Sequence, residues 1–181
     1  MFWGLIVFIL WTLLYVVWAY NRFIRLDNQS KEGWAGVDVQ LKRRYDLIPN
    51  LVAVVKAYTN YEPAALERVI QARNKALENA NPKDKEAPEN DFIGQIKSIL
   101  ALGESYPDLK ACEQFLELQR NLAEIEDTLQ KARRYYNATA RDYNIAIRMF
   151  PNNLIAHPLG LREKAFFQIT SLEAKNPRLG L

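Results

Sequence analysis

The chain begins with a stretch, Met1 to Asn21, that carries no charged side chain, and from Arg22 onward it is densely charged. A helix that crosses the hydrocarbon core of a bilayer needs about 20 predominantly apolar residues. Met1 to Tyr20 supplies them, with Gly4 and Thr12 as mildly polar interruptions. Trp3 near one end and Trp18 with Tyr20 near the other fit the aromatic belts of the two membrane interfaces, whereas Trp11 and Tyr15 fall inside the span. A cleaved signal peptide is the rival reading, and Val17 and Ala19 resemble a cleavage pair. That reading also calls for a positive region ahead of the apolar stretch, and none stands there. Residues 1–21 are therefore expected to be a permanent transmembrane anchor in contact with lipid.

Orientation follows from basic residues close to the span. Arg22, Arg25, Lys31, Lys42, Arg43 and Arg44 all lie on its C-terminal side. They predict a cytoplasmic body with the N-terminus outside; a periplasmic or extracellular body is the alternative. Cys112 is the single cysteine, which rules out an intrachain disulfide and agrees with a reducing compartment.

After the anchor about 160 residues remain, enough for one domain with a sizeable core. With 24 basic and 21 acidic residues the net charge is only +3, so no global field recruits nucleic acid. Between Asp27 and Tyr58 the residues Trp34, Val37, Leu41, Tyr45, Ile48, Leu51 or Val52, Val55 and Tyr58 recur every three or four positions, which predicts an amphipathic helix continuous with the anchor. Pro49 is expected to bend it. Thr59 or Asn60 should cap a second helix that has Pro63 in its first turn and Leu66, Val69, Ile70, Arg73 and Leu77 on its face, ending near Asn79. Residues 80–90 are polar and contain two prolines, so they read as a mobile surface loop. A short helix with Phe92, Ile93, Ile96, Ile99 and Leu100 follows, with Gly103 placed to end it.

Tyr106-Pro107-Asp108 then opens what reads as the longest element. Phe115, Leu118, Leu122, Ile125, Leu129, Ala132, Tyr136, Thr139, Tyr143, Ala146 and Phe150 alternate spacings of three and four, a coiled-coil-like seam that Phe150-Pro151 stops. At 1.5 Å per residue this helix would be roughly 65 Å long and could pair along most of its length with the first. Residues 159–181 contain prolines and glycines and read as an irregular tail packing on the bundle. The expected fold is all-α: a transmembrane helix (1–21) continuing into an elongated antiparallel bundle of about four helices (22–158).

Three runs resemble the LemA family of bacterial membrane-anchored helical proteins. They are Gln40-Leu41-Lys42-Arg43-Arg44-Tyr45-Asp46-Leu47-Ile48-Pro49-Asn50-Leu51-Val52, the pair Arg134-Tyr135-Tyr136-Asn137 and Asp142-Tyr143-Asn144 one heptad apart, and Tyr106-Pro107-Asp108-Leu109-Lys110-Ala111. The resemblance covers Tyr20 to about Pro158 and departs from the family at Tyr61-Glu62-Pro63, where relatives read His-Glu without the proline. It implies a single N-terminal span, a long-helix bundle at a bacterial inner membrane, no established enzymatic activity and, for some relatives, a link to membrane organisation or remodelling.

Chemistry is scarce. His157 is the only histidine, so neither a di-iron bundle with two Glu-x-x-His pairs nor a zincin can be built, and one cysteine excludes a zinc cluster. No Gly-rich phosphate loop and no Ser, His and Asp constellation is present. His157 reads as a structural or surface residue and Cys112 as a small buried one. Glu113 and Glu117 sit one turn apart, but Lys110 and Arg120 flank them as on a solvated charged face. No catalytic residue, cofactor or metal site is expected.

Two surfaces are candidates for interaction. Arg43, Arg44, Asp46 and Asn50 form the polar side of the first run, either as a docking surface or as a solvated face with ion pairs to neighbouring helices. Lys42 would lie about 30 Å beyond Arg22 along a continuous helix, several Debye lengths from the bilayer, so this patch is not expected to bind lipid. On the long helix Arg134, Asn137, Arg141, Asn144 and Arg148 align opposite the seam. The helix dipole favours cations only in the last turn and cannot account for Arg134 or Arg141. The stripe reads either as an exposed polar face or as a recognition surface for a partner subunit or anionic lipid. If the chain reverses at Pro63, Arg141 and Arg148 return toward the membrane, where each could contribute about 1 kcal/mol beside anionic lipid. The expected function is a non-enzymatic single-pass scaffold or assembly module that self-associates as a homo-oligomer; an adaptor or regulatory subunit for a membrane-protein partner, such as a membrane enzyme or an envelope-stress component, is the alternative.

Overall fold

The computed structural model describes residues 2–58, 63–78 and 81–168. Every regular element among them is a helix: α1 (Phe2–Tyr58), α2 (Pro63–Glu78), α3 (Pro82–Ser105), α4 (Pro107–Ala111), α5 (Glu113–Arg148) and α6 (Asn152–Ala156). The all-α expectation holds. The apolar start runs without interruption into the body, and Pro49 lies inside α1 rather than ending it. The helices divide between two compact units, Met1–Asp38 with Gln130–Phe166, and Val39–Leu129 with the described residues from Phe167 onward.

In the first unit α1 and α5 run antiparallel. Gly33 is so close to α5 that a Cβ there would stand 3.1 Å from the Tyr136 Cα. The Trp34 and Tyr136 rings lie 5.2 Å apart at a tilt. Further back along α1, Ala19 and Phe23 pack with Tyr143, Ala146 and Ile147 of α5 and Ala156 of α6. After α6 the chain returns as an irregular segment tied by its backbone. Asn144 takes both main-chain groups of Lys164, at 2.8 and 2.9 Å, and the Tyr136 hydroxyl donates to the Ala165 carbonyl at 2.7 Å.

In the second unit the long helices α1, α2, α3 and α5 alternate in direction, with the short α4 between α3 and α5. Leu41, Tyr45, Ile48, Leu51 and Val55 of α1 are buried with Leu66, Val69, Ala72 and Ala76 of α2, Phe92, Ile96 and Ile99 of α3, and Phe115, Leu118 and Leu122 of α5. Each large aliphatic or aromatic side chain buried this way contributes about 1.5–3 kcal/mol. The chain does reverse after α1, because Arg73 in the second half of α2 donates through Nε to the Tyr45 carbonyl at 2.9 Å.

Four expectations are corrected. Residues 82–90 are not a surface loop but the first turns of α3: Pro82 opens the helix, and Lys85 and Glu89 occupy its buried face ahead of Phe92, Ile96 and Ile99. Pro88 forgoes one backbone bond without ending the helix. Gly103 does not terminate α3 but lies in its last turn, where an added Cβ would meet Phe115 Cε1 at 2.8 Å. The element opened by Pro107 is broken at Cys112, whose extended backbone (φ −68°, ψ 120°) separates α4 from α5, so α1 is the longest helix described. Phe150, expected at the end of the seam, is 78% exposed. The expected caps Thr59 and Asn60, the helix end at Asn79 and the tail beyond Gln168 lie outside the described residues.

Candidate functional site

The two candidate surfaces fare differently. Of the first, Arg43, Asp46 and Asn50 are exposed, but Arg44 is fully buried, so this patch is not one continuous polar face. Arg44 projects between helices of the second unit. Its Nη2 donates to Glu89 Oε2 on α3, its Nη1 to Glu126 Oε1 on α5, and its guanidinium carbon stands 5.5 Å from the Phe92 ring centre. The Tyr45 hydroxyl donates to the other Glu89 oxygen. Arg44 Nε is buried with no hydrogen-bond partner. One guanidinium therefore stands between two carboxylates, of which Glu89 is wholly enclosed and Glu126 is about half exposed.

Burial pushes the Glu89 carboxyl up to about 7, with the Glu126 charge adding to the push and Arg44 opposing it. A carboxyl that titrates near neutrality could serve as a general base where a substrate can reach it. Here both oxygens are already engaged by Arg44 and Tyr45, and the side chain has no exposed surface. With both carboxylate oxygens engaged, the cluster ties α1, α3 and α5 together in one register rather than presenting a free base. Among the described residues no group of three or more His, Cys, Asp or Glu is placed to hold a metal ion.

The second surface lies on α5 within the first unit. Arg134, Arg141 and Arg148 are exposed, Asn137 is half-buried, and Asn144 is buried as the clamp on Lys164. Asn144 therefore leaves the stripe and becomes structural. Arg141, Ile145, Arg148 and Met149 border an open groove whose far side is Glu163 and Phe166. Arg141 pairs with its neighbour Asp142 at 3.3 Å and Arg148 with Glu163 at 3.6 Å. Exposed pairs of this kind are worth at most about 1 kcal/mol, so both arginines remain available to a stronger anionic partner. Behind the groove Lys164 reaches Asp27 at 2.8 Å, and Lys31 reaches the same carboxylate at 2.7 Å. Burial works to raise Asp27, but its hydrogen bonds and charge contacts with Lys164 and Lys31 prevail and hold it below the ordinary carboxylate range.

Glu89, Glu126 and Tyr45 were missed as a set. The signal available was spacing: Lys85, Glu89, Phe92, Ile96 and Ile99 keep the three-and-four rhythm of a buried face, but it begins with two charges that a hydropathy pattern passes over.

Comparison with known proteins fits this architecture. Residues 33–180 match the LemA family. This chain belongs to the LemA family. Protein LemA of Metamycoplasma hominis is 31% identical over 84% of this chain and 70% of its own length. Magnetosome protein MamQ 2 of Paramagnetospirillum magneticum is 23% identical over 82% of the chain, and Magnetosome protein MamQ of Magnetospirillum gryphiswaldense is 21% identical over the same share. The chain spans 64% of the length of these MamQ relatives. This LemA-family protein is membrane-associated, with an apolar helix long enough to span the bilayer and almost none of that stretch covered by the rest of the protein.

Proposed function

We propose that this LemA-family protein is a non-enzymatic assembly module: a helical body held at a bacterial inner membrane that associates with further copies of itself. The observation that carries the reading is the exposure of Phe2, Trp3, Phe8, Trp11 and Leu14 on a helix that continues without a break into the packed body. Such a helix gains its stability from lipid at one end and from the bundle at the other. The basic residues that follow the span favour a cytoplasmic body with the N-terminus outside. Crosslinking in intact membranes should trap dimers or larger species; monomers alone at native abundance would refute self-association. Orientation is checked by an impermeant thiol reagent on whole cells carrying Cys112→Ser with Lys42→Cys. Labelling should require permeabilisation.

The exposed arginines of α5 favour a second reading, an adaptor for a membrane-protein partner. Reversing Arg134 and Arg141 to Glu should then remove one specific partner from a pull-down while leaving helicity intact. An unchanged set of partners would dismiss the stripe.

A further inference from the structure

Between Arg148 and Arg162 the chain runs Met-Phe-Pro-Asn-Asn-Leu-Ile-Ala-His-Pro-Leu-Gly-Leu with no Asp, Glu, Lys or Arg. An apolar stretch of about 10–14 residues is too short to span a bilayer and belongs in a protein core, in a signal sequence or at a membrane interface. The core accounts for little of it. Ala156 and Asn152 are buried, but Met149 is 53%, Phe150 78%, Leu154 64% and Leu159 47% exposed. A signal-sequence role is excluded by its place after α5.

Its neighbours in the first unit say what covers these side chains. The Tyr15 hydroxyl donates to Asn152 Oδ1 at 2.7 Å, and Ile155, Pro158 and Leu159 form a wholly apolar groove with Val16, Val17 and Tyr20. Tyr15 lies six residues before Asn21, about 9 Å along the helix from the end of the uncharged stretch. Any bilayer that accommodates residues 2–21 must therefore meet α6 as well. Ile155, Pro158 and Leu159 thereby continue the exposed apolar surface of the span, and Leu154 and Phe150 are exposed in the same segment.

The backbone is prepared for that depth, where a polar group without a partner is costly. The N–H groups of Met149, Asn153, Leu154, His157, Gly160 and Leu161 all bond to carbonyls within α5 or the segment itself. Gly160 takes the left-handed conformation, φ 67°, that lets Leu161 turn back to the Ala156 carbonyl. Arg148 and Arg162, both exposed, bracket the segment as side chains that can reach headgroups while their stems stay in apolar surroundings.

We propose that Met149–Leu161 is a second membrane-contacting element, a hairpin wedge whose apolar side chains lie among the lipid acyl chains beside the C-terminal end of the span, in one leaflet only. The proposal rests on residues 2–21 being the span, and its test separates the two. In a Cys112→Ser background, full-length protein with Leu154→Cys, Phe150→Cys, Phe8→Cys or Arg134→Cys is labelled with bimane. It is then reconstituted in vesicles of phosphatidylethanolamine and phosphatidylglycerol containing a nitroxide acyl-chain quencher. Both wedge positions are solvent-exposed in the protein, so neither substitution touches the core, and circular dichroism confirms helicity.

Labels at Leu154 and Phe150 should lose most of their fluorescence to the lipid quencher, as the Phe8 label does, and little to aqueous iodide. The Arg134 label should behave in the opposite way. Iodide access at Leu154 and Phe150 while the Phe8 label stays in lipid overturns the wedge and leaves the anchor standing. Shielding from both quenchers also overturns it, because protein rather than lipid then covers the patch. A Phe8 label open to iodide removes the span and the wedge together.

Discussion

In the unit that contains the apolar start of α1, small residues set the closest approaches, with Gly33 facing the Tyr136 backbone and Ala19 packed with Ala146 and Ala156, while Phe23, Tyr143 and Ile147 fill the space between. In the unit from Val39 to Leu129 they meet through Leu, Ile, Val and Phe, and they enclose Arg44 and Glu89. Membrane helices gain nothing from hiding apolar surface from an equally apolar lipid, so they associate by close approach of small residues. Water-facing bundles gain from burying large side chains and can bear a charged cluster when it is paired. Close small-residue contacts mark the first unit and an enclosed ion pair the second, and two helices, α1 and α5, supply residues to both.

The sharpest way to break that contrast is Arg44→Ala. It strands Glu89 in the core of the second unit and should cost about 3–5 kcal/mol, read by urea unfolding in detergent. Hydrogen exchange should accelerate in α2 and α3 well before the amides near Gly33. Uniform loss of protection across both units would erase the distinction.

Next in size is the pH dependence. The Glu89 carboxyl is raised in the folded protein to about 7 from an ordinary value near 4.5, so the folded state holds the extra proton between those values. Its contribution is complete below about pH 4.5 and is lost as pH rises through 7, a decline on the order of 3 kcal/mol. Glu89→Gln should flatten the stability profile over that window. A parallel slope in the variant would assign the titration elsewhere.

Gly33→Leu tests the close approach in the first unit. Its side chain meets the Tyr136 backbone, which cannot yield as a flexible side chain would, and overpacking of this kind costs about 1–3 kcal/mol. Exchange should rise around Phe23 and Tyr143 while α3 keeps its protection. The smallest effect belongs to the surface: Arg134→Glu should change stability by less than about 0.5 kcal/mol, since nothing buried depends on it. A larger loss would mean that the stripe is structural.

Much of this was legible in the residues. The uncharged start, the α5 seam from Phe115 to Ala146 and the rhythm of α1 are hydropathy patterns, and they survive because apolar burial drives those elements. What escaped notice was charge serving as core. Lys85 and Glu89 look like solvent-seeking residues in a proline-containing stretch, and for Glu89 only the arrival of Arg44 and Tyr45 from α1 makes burial tolerable. Arg44 itself sits in a run with Lys42 and Arg43, and nothing local distinguishes the one that turns inward. The break at Cys112 was hidden because both flanks are good helix formers. The wedge was hidden in plain hydropathy, since a stretch of that length is ambiguous until its neighbours are known.

Asn144 grips Lys164 by the main chain alone, one amide answering one peptide in both directions. Such a grip is blind to the identity of the residue held. Substitutions along 161–166 can accumulate without loosening it, whereas inserting or deleting a single residue between α6 and Lys164 would present the wrong peptide. What this contact guards is therefore a count of residues, and relatives that share it should hold the spacing constant even where the side chains that pair elsewhere, such as Lys164 with Asp27, are exchanged.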